Sequence, residues 1–212
     1  MERWRSVRLD DVEPIPVVEG RLLWRPLRRT LDVGAFGINA YVAPDAGDDV
    51  VEEHSESALG HEEVYVVLAG RATFMLDGER LDAPAGTVVF VRAPDVVRHA
   101  RAEEPGTSVL AVGGPREAAY EPSAWEDVFA AERHRSTGDY VAMIEELEAS
   151  LARRPDRPRV LWALAAAEAL AGRSNAALGH VGRVLELRPD WAEHVRADED
   201  LTSLHGLPGW PG

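Results

Sequence analysis

The sequence predicts an α+β protein, with a β-rich domain over residues 1–120 and a small all-α helical-repeat domain over residues 121–212. Three observations predict it. Before residue 120, short runs of β-forming residues alternate with Gly, Pro and Asp turns, with no helical stretch between them. After Pro122 the chain becomes rich in Ala, Glu and Leu, with apolar residues at helical spacing. Two landmarks then recur in phase: Gly138 and Gly172, like Pro155 and Pro189, are 34 residues apart.

In the first half, early strands are expected between Val33 and Val51. They are followed by Val64 to Leu68, Ala72 to Leu76, Val88 to Val91 and Ser108 to Val112. Asp77-Gly78, between Thr73-Phe74-Met75-Leu76 and a run through Leu81, is a strong hairpin signal, because both residue types tolerate the positive φ that a two-residue turn demands. Antiparallel strands at this density form a sandwich or small barrel. In the second half, Ile144, Leu147 and Leu151 line one amphipathic run, and Leu178, Val181 and Leu185 line its counterpart.

The 34-residue period, with its Gly and Pro punctuation, resembles the tetratricopeptide repeat, in which each unit is a pair of antiparallel helices. On that register the units run from about Ala124 to Arg157 and from Pro158 to Trp191, and Trp191 to Leu204 would form a capping helix. Small residues Ala163, Ala166 and Ala167 suit close helix packing. Trp125 and Trp162 keep aromatic positions of the repeat, whereas Met143 stands where a small residue is usual. Two units are fewer than an independent solenoid needs. They are expected to serve packing or dimerisation, or to hold a protein partner.

The segment from His54 to Val112 carries a cluster of metal-ligand residue types. It reads His54-Ser55-Glu56, a short loop, then His61-Glu62-Glu63 and a strand to Gly70. Farther on come Gly86, Val88-Val89-Phe90-Val91, Pro94, and Arg98-His99. This segment resembles the cupin family. The Glu63-to-Gly70 spacing matches the first cupin motif, Gly86 to Pro94 matches the second, and Phe74 to Gly86 matches the linking hairpin. The resemblance implies a β-jelly-roll barrel with a central cavity, a divalent metal (Fe, Mn, Ni or Zn), a small-molecule ligand, and a homodimer.

Strand alternation tests which side chains can face such a cavity, because residues two apart share a face. His61, Glu63, Tyr65 and Val67 then lie on one face, and Glu52, His54 and Glu56 on one face of the preceding segment. The loop Ser57-Ala58-Leu59-Gly60 could bring the two sets together. The candidate ligand set is His54, His61 and Glu63, with Glu56 and His99 as further candidates. Imidazole with carboxylate suits zinc, nickel, iron or manganese, and two histidines with one carboxylate form the facial arrangement of non-heme iron. Tyr65 reads as cavity wall against a ligand, and Glu62 as turned to solvent or to the opposite sheet.

The sequence departs from the family pattern at both ends of the set. The usual His-x-His pair is His54-x-Glu56, and His61 is an additional histidine two residues before Glu63. Counted from Pro94, the final histidine position falls on Arg98, and His99 comes one residue late, on the opposite face of a regular strand. Arginine does not ligate metal but clamps carboxylates and phosphates. Arg98 therefore either pairs internally with Glu56 or Glu63, or binds an anionic ligand beside a metal. His134, His180, His194 and His205 lack ligand spacing and read as surface.

Composition bounds the rest. The absence of cysteine excludes thiolate catalysis and Cys-type zinc sites. All 23 basic residues are arginine, which excludes a Schiff-base lysine. A net charge of −14 argues against a phosphate-backbone binder, so no nucleic-acid partner is expected. No apolar run reaches membrane length, and Met1-Glu2-Arg3-Trp4-Arg5 lacks a signal-peptide core, so a cytoplasmic protein without membrane contact is expected. The function expected is small-molecule binding, metal-loaded or not. The alternative is a metal-dependent oxygenase or isomerase acting on a small acidic substrate.

Overall fold

A computed structural model describes residues 4–211. The chain divides into two compact units, residues 1–122 and 123–212. Among the described residues the first holds ten strands in two antiparallel sheets and the second is helical, which is the α+β class expected. Among the described residues no helix is long and apolar enough to cross a membrane.

The larger sheet has the order β1 (Ile15–Val17), β2 (Leu22–Arg25), β3 (Gly37–Ala43), β10 (Thr107–Pro115), β5 (His61–Ala69) and β8 (Val88–Val91). The smaller has the order β4 (Asp49–His54), β9 (Arg98–Ala102), β6 (Arg71–Leu76) and β7 (Glu79–Pro84). From β3 onward the chain crosses between the sheets at every step except β6 to β7, in a jelly-roll-like way, and the two inner faces share one core. Val50, Phe74, Ala100 and Ala102 from the smaller sheet meet Tyr65, Val67, Val89, Val91 and Val109 from the larger. Each contributes alternate residues, as the pleat requires. On the outer face of the larger sheet, Ala40 is covered by Val12 and by Leu27 of the short helix α1 (Leu27–Leu31).

Asp77 and Gly78 form the expected two-residue turn between β6 and β7, both with positive φ (49° and 85°). Asp77 does more than turn the chain. Its Oδ1 accepts from Val97 N at 2.9 Å, and its own N–H donates to Val97 O at 2.9 Å. These bonds fix where β9 begins, and therefore the phase of Arg98.

The helical unit contains α2 (Ala124–Glu132), α3 (Tyr140–Arg153), α4 (Pro158–Leu170), α5 (Ser174–Leu187) and α6 (Ala192–Ala197). Gly138 and Gly172 both adopt positive φ (69° and 75°) at the turns before α3 and α5. Met143, Ile144 and Leu147 of α3 pack on Leu164 of α4, and Leu161 and Ala165 on the other side of α4 pack with Val181 and Val184 of α5. The capping helix expected over Trp191 to Leu204 is instead broken. Asp198 is extended (φ −71°, ψ 117°) after α6, and its carboxylate caps a separate 3₁₀ segment, Glu199–Leu204. His180 is not a plain surface residue either, because its ring lies 2.7 Å from the carboxylate of the buried Glu168.

Candidate metal centre

Three strands and one loop bring the candidate side chains together. β4 and β9 of the smaller sheet supply His54 and Arg98, which are paired neighbours across the ladder. β5 of the larger sheet supplies His61, Glu63 and Tyr65 from one face. The loop between β4 and β5 supplies Glu56, whose N–H donates to Pro94 O at 2.8 Å and whose carbonyl accepts from Gly60 N at 2.7 Å. Gly60 closes this loop at φ 68°, a region that favours glycine.

The donor atoms converge. His54 Nε2 lies 3.7 Å from Glu56 Oε1 and 3.6 Å from Glu63 Oε2. One ligand atom from each of His54, Glu56 and Glu63 lies within 4.8 Å of the others, the one such cluster among the described residues. His54 Nδ1 donates to the carbonyl of Glu52 at 2.7 Å. That bond holds a proton on Nδ1 and turns the Nε2 lone pair towards the two carboxylates, as a hydrogen bond from the far ring nitrogen does in metal-binding histidines. One imidazole and two carboxylates fit a borderline or hard divalent cation such as Zn, Fe, Mn or Ni.

The remaining sequence candidates are placed as follows. His61 is buried, with Nδ1 3.2 Å from Glu56 Oε2, so it contacts a donor residue and stands outside the donor cluster. Its other face meets the Tyr120 ring at 5.6 Å between centroids. Tyr65 is buried and its hydroxyl donates to Glu63 Oε2. Glu62, on the opposite face of β5, pairs with Arg116 at 2.6 Å. His99 alternates with the buried Arg98 and Ala100 and sits 2.7 Å from Asp49 Oδ1. Arg98 faces inward and its side chain is 0% exposed. Its Nε lies 3.6 Å from Glu63 Oε2, and none of its three nitrogens has a hydrogen-bond partner.

Alternation within β9 is unbroken, with Arg98, Ala100 and Ala102 buried and Arg101 exposed. The irregularities lie in β4, where Asp49 pairs with Arg101, Val51 with Ala100 and His54 with Arg98, so two residues stand against one and then three against two. Val50 and Val51 are consequently both buried, and Glu52 is exposed rather than on the face of His54, which corrects the expected alternation of that strand. The bulge leaves no mark in the sequence Asp49-Val50-Val51-Glu52-Glu53-His54.

Electrostatics follow from the packing. Burial raises the Glu56 carboxyl above its usual range, and the charge of Glu63 adds to it. For Glu63 burial pushes upward, but contacts with His54 and Tyr65 and the charge of Arg98 outweigh it and hold the carboxyl low. Burial pushes His54 down, yet its contacts with Glu63 and the Glu52 carbonyl carry it above the ordinary value. Burial lowers His61 and raises Tyr65, the latter reinforced by Glu63.

Gly113 of β10 lies opposite Glu63 in the ladder. A Cβ there would stand 2.7 Å from Glu63 Cγ and 3.1 Å from Glu62 O. The glycine therefore makes room for the Glu63 side chain, a requirement that sequence reading missed. Gly113→Ala is expected to displace Glu63 and weaken metal binding by about tenfold or more while leaving the far-UV spectrum unchanged. Unaltered metal affinity, measured by calorimetry, would refute this role for the glycine.

No family model matches the chain, and no curated protein matches it. Solved structures do. A cupin protein from Bacteroides fragilis is 19% identical over 58% of this chain and 93% of that one, with a TM-score of 0.42. A predicted oxalate decarboxylase from Thermotoga maritima is 21% identical over 52% and 99%, with a TM-score of 0.43. A sugar phosphate isomerase from a cupin superfamily of Silicibacter pomeroyi is 17% identical over 52% and 75%, with a TM-score of 0.44. The assignment of a two-sheet, jelly-roll-like fold with a His-Glu-Glu cluster rests on the strand pairing of this chain itself.

Proposed function

We propose that the β-domain is a cupin-type small-molecule-binding domain whose cavity holds a divalent cation on His54, Glu56 and Glu63. The observation that carries this reading is the meeting of one imidazole and two carboxylates from three backbone segments, with the histidine proton already committed to the Glu52 carbonyl. Such an arrangement places two buried negative charges around a lone pair, and a cation relieves that repulsion. His54, about one-third exposed, marks the open side from which a ligand can reach the cation.

The helical unit is read as a module for packing or protein interaction built from two 34-residue repeats. In support, α2 and α4 begin 34 residues apart, at Ala124 and Pro158, and each is followed by a positive-φ glycine and a second helix.

Metal analysis of the purified full-length protein tests the cation site. Close to one Zn, Fe, Mn or Ni per chain is expected after expression in supplemented medium, and His99→Ala should leave that value unchanged because His99 lies against Asp49, outside the donor cluster. Less than about 0.2 metal per chain, with no uptake on titration, would remove the metal from this reading.

A further inference from the structure

Arg98 is a buried cation with an incomplete set of partners. Its side chain is fully enclosed, its three nitrogens make no hydrogen bond, and Glu63 is the acid within ion-pair distance among the described residues. A guanidinium offers five N–H donors in a planar fork that matches a carboxylate, and leaving them unmet in an interior is costly. Glu63 Oε2 cannot serve as a full partner, because it also faces His54 Nε2 at 3.6 Å and accepts from Tyr65.

The charges of the cavity sharpen this. With neutral histidines, Glu56 and Glu63 against Arg98 leave one negative charge in excess. A divalent cation on His54, Glu56 and Glu63 turns that into one positive charge in excess. It would also draw on the Glu63 carboxylate that now compensates Arg98, so the guanidinium would share its counter-charge with the cation. Burial makes each of these imbalances unfavourable, and a single anion corrects the second.

We propose that the cavity takes a small monocarboxylate as its ligand, received by the Arg98 fork, and that carboxylate and divalent cation bind cooperatively, each completing the charge set that the other leaves open. This rests on the cation site proposed above. The carboxylate is favoured over a simple halide because its two oxygens match the planar donor pair. The coupling is reciprocal: the factor by which carboxylate tightens the cation is the factor by which the cation tightens carboxylate.

Calorimetric titration of Mn2+ into the full chain, with and without acetate, tests it. Equal ionic strength is maintained with chloride, and acetamide serves as the uncharged isostere. Acetate is expected to tighten Mn2+ binding by about tenfold, with chloride and acetamide giving no change, and acetate titrated with and without Mn2+ should return the same factor. Arg98→Met should abolish the coupling while Mn2+ still binds, whereas Arg98→Lys should keep part of it but lose the preference for acetate over chloride. If Mn2+ fails to bind the parent protein in every buffer, the cation reading falls and this inference falls with it. If Mn2+ binds and acetate leaves its affinity unchanged, the inference alone is overturned, whatever the variants do.

Discussion

Glu63→Gln is expected to destabilise the metal-free β-domain by about 3–5 kcal/mol, the cost of stranding one member of a buried ion pair. The reason lies with Arg98, not with Glu63. Glu63 keeps a partner after substitution, since the Tyr65 hydroxyl can donate to an amide oxygen as it does to the carboxylate. Arg98 does not, because Glu63 Oε2 at 3.6 Å is its ion partner and its side chain has no exposure to water. The double variant Glu63→Gln/Arg98→Met should recover most of the loss, because an aliphatic side chain would fill that buried space without a charge. Denaturant unfolding of the four proteins of the cycle, in chelator, measures the coupling directly. A cost below about 1 kcal/mol for Glu63→Gln would show that Arg98 is compensated elsewhere, and would also weaken the case for a ligand at its fork.

The same residues show what the sequence makes readable. The two-sheet framework follows from period-2 alternation and from the Asp77-Gly78 turn, features local enough to be decided by a few residues. Counting from Pro94 puts Arg98 at the position of the final histidine but leaves open whether it or His99 turns inward; in the structure Asp77 pins Val97 on both backbone groups and Arg98 is the buried one. Three things were not legible. The bulge in β4 depends on the pairing of Val51 and His54 with a strand more than forty residues away, which no local pattern reports. The strands β1 and β2 have three and four residues, too few for a periodic signal to stand out. The roles of Glu56 and His61 depend on how the Ser57–Gly60 loop closes. Its turn is fixed by the bond from Glu56 N to Pro94 O, a contact between two loops that strand patterns do not describe.

His54→Ala is expected to abolish metal binding, whereas His61→Ala should keep the stoichiometry and weaken affinity by about tenfold to a hundredfold. His54 presents Nε2 to both carboxylates, and losing it removes the nitrogen donor of the cluster. His61 instead reaches Glu56 Oε2 at 3.2 Å with its ring against Tyr120, so its loss frees Glu56 to swing without deleting a donor atom. The proton sharpens the contrast. His54 must give up any proton on Nε2 before it ligates, and its contacts with Glu63 and the Glu52 carbonyl raise its pKa despite burial. Metal affinity of the parent should therefore fall about tenfold for each pH unit below that raised value, where protons compete, and level off above it. In His61→Ala the same pH dependence should persist, because the competing proton sits on His54 Nε2, whereas burial lowers the His61 pKa. Calorimetry and metal analysis at several pH values read both quantities. Loss of stoichiometry in His61→Ala, with His54→Ala still loaded, would reverse the assignment and make His61 and Glu63 the core of the site.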